Sequence, residues 1–211
     1  MIYGVDVSSF QPKVNWAQLR KDGYEFASVR CCEGLDLDSM HDTHIKDAKS
    51  EGFKAGSYQV GHPSMDVQKL VQFFMSHAHI EPGDMMPSPD METLATGPDG
   101  NKYVPKNAGP WTNEWAETIK RALGVNSLPY ASPSYWQTMC SQCPDLGGAS
   151  GWNWWMAWYT GATQPKTYAG QPLIYAAHQC DGNVPLRYQV GLWDRDVVYE
   201  ETLSGILIPV S

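Results

Sequence analysis

Met85-Met86-Pro87-Ser88-Pro89-Asp90-Met91-Glu92 sets two carboxylates two residues apart beside apolar side chains. On a strand, that spacing sends both carboxylates to one face of the sheet. Two such groups in a partly dry cleft repel when both are charged, so one keeps its proton near neutral pH while the other ionises. Acid-assisted cleavage of a glycosidic bond needs that division of labour. An isolated Asp-x-Glu also arises where two acids merely cap a loop. The flanking sequence has to decide between the two.

Toward the N-terminus the pattern is a β-α-β rhythm. Ile2 to Val7 is a short apolar run broken by Ser8-Ser9-Phe10-Gln11-Pro12, which places Asp6 at a strand's C-terminal end. Trp16 to Asp22 carries a short helical pattern stopped by Gly23, and Phe26 to Cys32 is a second strand closing on Glu33-Gly34. A helix over Asp42 to Glu51, stopped by Gly52, leads to a third strand, Lys54 to Val60. Ser64 is a candidate N-cap for a helix with Val67, Leu70, Val71 and Phe74 on one face, running to about His79.

Toward the C-terminus, Thr93 to Pro110 is rich in Gly, Pro and Asn and is expected to be a long loop roofing the carboxylates. Thr112 to Ala122 reads as a helix with Trp115 and Ile119 on one face and Gly124 as its stop. Ser127 to Ala131 is a strand and Ser134 to Met139 a short helix. Three further apolar runs, Trp154 to Tyr159, Pro172 to His178 and Val190 to Val198, complete the chain with almost no helical periodicity among them. Strands alternating with helices argue for a parallel sheet, and about eight of them argue for closure into a β/α barrel with fewer helices than strands. Asp6, Asp90, Glu92 and Asp194 would then converge near C-terminal strand ends, the catalytic face of such barrels. Asp196 competes with Asp194, because both sit on one strand face.

The 211 residues suit one sizeable core, so a single domain spanning 1–211 is expected. A formal charge of -8 argues against a nucleic-acid partner, and no stretch is apolar enough to span a membrane. The opening Met-Ile-Tyr-Gly-Val-Asp-Val lacks a basic region followed by an apolar one, so no signal peptide is expected. Five cysteines, Cys31, Cys32, Cys140, Cys143 and Cys180, do not form a secreted disulfide framework and are read as mostly reduced thiols. Cys140-x-x-Cys143 lacks a second ligand pair, and His77-x-His79 is read as solvent-facing; no metal and no cofactor is expected. Glu33 is left outside the catalytic set as a partner for Arg30. Asp6 has an alternative use, accepting backbone N–H groups in the turn at Ser8-Ser9.

Gly4-Val5-Asp6-Val7-Ser8 with Gln11 and Trp16, Glu33-Gly34, Ala55-Gly56-Ser57-Tyr58, Asp90-x-Glu92, Trp155-Met156-Ala157-Trp158-Tyr159, Gln179 and Asp194 occur in an order that resembles the glycoside hydrolase family 25 lysozymes. The resemblance runs from residue 2 to about residue 200. It implies an irregular barrel that cleaves the β-1,4 bond between N-acetylmuramic acid and N-acetylglucosamine in peptidoglycan. By position, Glu92 matches the family's general acid and Asp90 its stabilising or orienting partner, while Asp6 and Asp194 match the flanking acids. The substrate's own N-acetyl group is a possible nucleophile, which would make Asp90 its helper. Tyr58, Tyr130, Trp155 and Tyr159 match aromatics lining the glycan cleft, with Gln179 beside them.

The chain departs from the family's pattern in three places. Pro87 and Pro89 interrupt the usual apolar strand and predict a bent or bulged one. Tyr58-Gln59-Val60 replaces Tyr-His-Phe, and His178-Gln179-Cys180 replaces Trp-Gln-Tyr, so subsites are expected to differ. The resemblance implies peptidoglycan strands as the partner. Its natural context is an endolysin made in a host cytoplasm or a virion-associated enzyme, with a separate wall-binding or virion chain as a further partner. The rival reading is an inactive barrel that binds glycan or serves a structural role.

Overall fold

The computed structural model describes residues 1–144, 146, 153–159, 167, 168, 171, 172, 175–184, 186, 189, 193–198 and 204–210. Eight strands close into a barrel: β1 (Ile2–Val7), β2 (Tyr24–Glu33), β3 (Lys54–Val60), β4 (Ser88–Asp90), β5 (Tyr130–Ala131), β6 (Trp155–Ala157), β7 (Ala177–Val184) and β8 (Trp193–Val198). Neighbours from β1 to β7 are parallel, whereas β8 runs antiparallel to both β7 and β1 and closes the ring. Short hairpins decorate it, among them Asp36–Leu37 on the end of β2 and Ala95–Thr96 against Lys102–Tyr103.

Five helices cover the wall: α1 (Trp16–Lys21), α2 (His41–Ser50), α3 (Val67–His77), α4 (Ala108–Leu123) and α5 (Pro133–Gln142). Among the described residues no α-helix follows Gln142, in line with the missing helical period there, and no helix is long and apolar enough to cross a membrane. All five cysteines are free.

Alternation along the strands sorts the side chains. On β1 and β2, Val5, Val7, Ala27 and Val29 point outward and pack with Trp16, Leu19 and Ile45 of α1 and α2. Leu70, Val71 and Phe74 of α3 meet Trp115 and Ile119 of α4, with the Phe74 and Trp115 ring centroids 5.3 Å apart. The barrel's inner plug is Phe26, Met86, Leu128, Trp155, Ala177 and Val198. Gly4 faces this plug, and a Cβ there would lie 2.2 Å from Phe26 Cε2. Gly4→Ala is therefore expected to destabilise the protein by about 1–3 kcal/mol through overpacking, read as a lowered thermal midpoint. An unchanged midpoint would mean that Phe26 has room to move.

Several expected boundaries shift, each for a local reason. α3 starts at Val67 with Asp66, not Ser64, as its cap, because Asp66 Oδ1 accepts the Lys69 N–H at 3.1 Å. It ends at His77; the His79 N–H turns instead to Ser57 Oγ at 3.2 Å. The expected loop Thr93 to Pro110 contains the Ala95–Thr96 hairpin, and α4 already begins at Ala108. Pro110 lies in the first turn of α4, where a missing N–H costs nothing. The run Pro172 to His178 is not one strand: Gln171–Pro172 pairs with Thr167–Tyr168, and β7 starts at Ala177. Of the run Val190 to Val198, residues 193–198 form β8 and residues 190–192 lie outside the described residues.

β4 is cut to three residues by its prolines. It still joins both neighbours, because carbonyls do the bonding: Pro87 O accepts Leu128 N–H at 2.9 Å and Asp90 O accepts Gly61 N–H at 2.8 Å. Proline lacks a donor but keeps its acceptor, which allows a central strand this short.

Candidate active site

The open end of the barrel holds a cavity of about 260 Å³. Asp6 reaches it from the end of β1, Asp90 from the last residue of β4, and Glu92 from two residues beyond that strand. Asp194 also lines it, but from the N-terminal end of β8 and not from a C-terminal strand end as expected. The reversed direction of β8 explains the outcome: Asp194 pairs with Asp6 in register, so an antiparallel strand delivers its first residues to the same end of the barrel. Tyr58, Tyr130, Trp155, Tyr159 and Gln179 line the same cavity, so all nine residues singled out in the sequence meet in one place.

Hydrogen bonds tie this lining together. Gln179 Nε2 donates to Asp6 Oδ2 at 2.9 Å, and Gln179 Oε1 accepts from Tyr130 Oη at 2.7 Å and Tyr159 Oη at 3.1 Å. Asp6 thus leaves the Ser8-Ser9 turn to others: Gln11 Oε1 accepts the Ser8 N–H and Asp38 Oδ2 the Ser9 N–H, each at 3.0 Å. Arg30 lines the cavity as a cation held from behind, its Nε on Asp38 Oδ2 at 2.8 Å and its guanidinium 4.8 Å from the Phe10 ring centroid. Glu33, expected as the partner of Arg30, lies 3.8 Å away and is secondary to Asp38. Asp90 Oδ1 is buried without a hydrogen-bond partner.

The acids raise one another's proton affinity. Burial, then repulsion from Asp194, pushes the Asp6 carboxyl from 3.8 up to about 7, against the lowering effect of Gln179. Asp90 is driven well above the usual carboxylate range by burial, then by Glu92 and Asp6. Glu92 stands exposed at the cavity mouth, yet the surrounding protein, followed by Asp194 and Glu33, still raises it. Carboxyls this close titrate as a group, and the cluster retains protons at pH values where isolated acids have lost them.

Asp196 belongs to the cluster and was weighed in the sequence only as a substitute for Asp194. It is fully buried, with Oδ1 accepting the Trp155 Nε1–H at 3.0 Å. Burial, then Asp6 and Asp194, raises it well above the usual range. Its signal was the i, i+2 spacing from Asp194, which puts both acids on the inner face of β8. Arg30, Phe10 and Ser28 also line the cavity, and no chemical motif marked them.

Glu92, Tyr130 and Tyr159 face a second hollow of about 320 Å³, lined also by Leu94, Val104 and Tyr135. The two hollows share Glu92, Tyr130 and Tyr159 in their linings, so the Glu92 carboxyl borders both.

The chain resembles several known proteins. The chain is 23% identical to YegX of Escherichia coli K12 over 164 residues, covering 75% of this chain and 56% of that protein. It is 22% identical to an N,O-diacetylmuramidase of Arthroderma benhamiae over 154 residues, 69% of this chain and 64% of that one. The chain thus spans 56% and 64% of the lengths of these two curated relatives. Among solved structures, the bacterial lysozyme from Streptomyces coelicolor superposes with a TM-score of 0.78 at 21% identity, covering 93% of this chain and 91% of that one. That likeness establishes the irregular barrel. The family model for glycosyl hydrolases family 25 matches residues 5–184, a span that runs from within β1 to the end of β7 and includes Asp6, Asp90 and Glu92, and the chain belongs to that family.

Proposed function

We propose that the protein is a peptidoglycan hydrolase, an N-acetylmuramidase that cleaves the β-1,4 bond between N-acetylmuramic acid and N-acetylglucosamine. The observation that carries this reading is the pairing of Glu92, solvent-reachable with raised proton affinity, with the buried Asp90 at the junction of two hollows. An acid bordered by two hollows suits a bond between two sugar units of a polymer.

In this reading Glu92 gives its proton to the glycosidic oxygen as the C1–O bond breaks. A sugar ring over the cavity mouth strips water from Glu92 and raises its proton affinity further. Asp90, lining the cavity beside Glu92, orients the N-acetyl group of the reacting sugar, a role open to its protonated form, or stabilises positive charge once it has ionised. Asp6 and Asp194 supply the flanking negative field, and Gln179 holds Asp6 in place. Residues 1–211 act as one catalytic unit, and its place of action is the bacterial wall, as an endolysin or virion-associated enzyme.

Tyr159 is 61% exposed at the rim and offers its ring to a sugar face. Tyr159→Ala is expected to raise KM by about 2- to 10-fold with a smaller change in kcat, read from initial rates on purified peptidoglycan. An unchanged KM would remove Tyr159 from the binding set.

The deciding experiment incubates the protein with purified peptidoglycan and identifies the new reducing ends by mass spectrometry. Reducing muramic acid ends support the proposal. Reducing glucosamine ends would reassign the bond. Folded protein that releases nothing from several wall types, yet sediments with them, would establish the inactive glycan-binding barrel in its place.

A further inference from the structure

A second cluster of chemically able side chains lies on the outer wall, away from the cavity. On β3, Tyr58 faces the cavity, so its neighbour Ser57 faces the opposite side, toward α2. There the start of α2 and the segment after α3 bring together His41, Asp42 and His79, with donor atoms all within 4.8 Å of one another. His41 Nδ1 lies 3.1 Å from Asp42 Oδ1, and His79 Nε2 lies 3.5 Å from that same oxygen. His41 is 1% exposed, while Asp42 and His79 are open to solvent.

We propose that His41, Asp42 and His79 form a binding site for a divalent transition-metal ion of the zinc class. Two features beyond proximity carry this. The first is spacing: a tetrahedral ion with bonds of about 2.0–2.1 Å sets its ligands about 3.4 Å apart. Both measured edges lie near that value, and His79, half exposed past the helix end, is placed to adjust the third.

The second is the support behind the ligands. Ser57 Oγ lies 2.9 Å from His41 Nε2, accepts the His79 N–H at 3.2 Å and donates to the His79 carbonyl at 3.5 Å. All three contacts form together when His41 carries its proton on Nε2 and donates it to Ser57. That arrangement turns the Nδ1 lone pair toward the Asp42 oxygen, the orientation in which the two would share a cation. Metal-ligating histidines are commonly oriented by such a bond from the second ring nitrogen. Two nitrogens and one oxygen suit zinc, copper or nickel and disfavour magnesium or calcium. Three protein ligands leave a coordination position for water, and the ion would pin the start of α2 to the segment following α3.

The test uses the whole protein, stripped with a chelator and then titrated with zinc chloride against a chromophoric competitor. Expected is one zinc per chain, with a thermal midpoint raised by about 5–11 °C at about 100-fold excess over Kd, and no shift with magnesium. His79→Ala and Asp42→Asn alter exposed side chains and preserve the fold; each is expected to weaken zinc binding at least about 10-fold. Saturable binding that both variants leave unchanged would place the zinc elsewhere and overturn the proposal. Absence of saturable binding up to about 100 µM zinc would also overturn it, leaving a proton as the cation between His41 and Asp42.

Discussion

Glu92→Gln is expected to lower peptidoglycan cleavage by about 10²- to 10⁴-fold, the range associated with loss of a positioned proton donor. The amide keeps the shape of the side chain and removes the transferable proton. Because Glu92 is exposed at the mouth, the thermal midpoint should stay close to that of the parent protein, which separates lost chemistry from lost structure. The pH profile provides a second readout. Surrounding protein raises the Glu92 proton affinity, so the competent acid form persists to higher pH than for an ordinary glutamate. Activity should fall on the alkaline side as that proton leaves. Asp90→Asn should also lose most activity, and the double variant should be little worse than either single one, since residues acting as a unit are not additive. A Glu92→Gln protein retaining more than about a tenth of the parent rate would remove Glu92 from the acid role.

The barrel was legible because each of the first three strands ends on a breaker and is followed or preceded by a helix with a clean stripe. Gly23 and Gly52 both take the left-handed conformation at helix ends, with φ of 91° and 81°. The direction of β8 was not legible. An isolated apolar run has the same period in either orientation, and the partners that set it, Asp6 with Asp194 and Gln179 with Asp196, lie far away in the chain or across a bulged pairing. Asp194 was placed at the correct end of the barrel on the wrong premise.

Helix ends moved because several residues could cap. Ser64 and Asp66 are both good candidates, and only packing decides between them. The candidate catalytic residues were found because acids at strand ends are conspicuous. Asp196 was harder to see, since burial in a barrel interior is unusual for a carboxyl and nothing local announces it. His41 and His79 stood apart for a similar reason: they are 38 positions apart in sequence, and a serine on a third element brings them together.

That buried Asp196 predicts how stability responds to pH. A carboxyl whose proton affinity is higher in the folded state binds a proton there that the unfolded chain has already released. Its contribution is most favourable below the unfolded value and declines as pH rises through the folded one. Asp6, raised from 3.8 to about 7, and Asp196, held well above the usual carboxylate range by burial, both act in this direction. His41, His44 and His178 are pushed below 6.5 chiefly by burial and act in the opposite direction, but only up to that ordinary histidine value. Above it the acid cluster dominates, so the thermal midpoint should fall as pH rises from about 6.5 through the Asp6 value of about 7.

Asp196→Asn should flatten this fall. Its amide oxygen still accepts the Trp155 Nε1–H, and no charge has to form inside the barrel beside Asp6 and Asp194. One pKa unit corresponds to about 1.4 kcal/mol, and a domain of this size moves about 2–4 °C per kcal/mol. Relief of a single unit would therefore raise the midpoint at pH 8 by about 3–6 °C, with a smaller change at pH 5. If Asp196→Asn melts below the parent at pH 8, or retains its pH slope, then the Asp196 charge is stabilised by contacts that outweigh its burial. If it melts higher while losing cleavage activity, the buried acid is maintained at a cost in stability because it sets the charge of Asp6, its neighbour in the acid cluster.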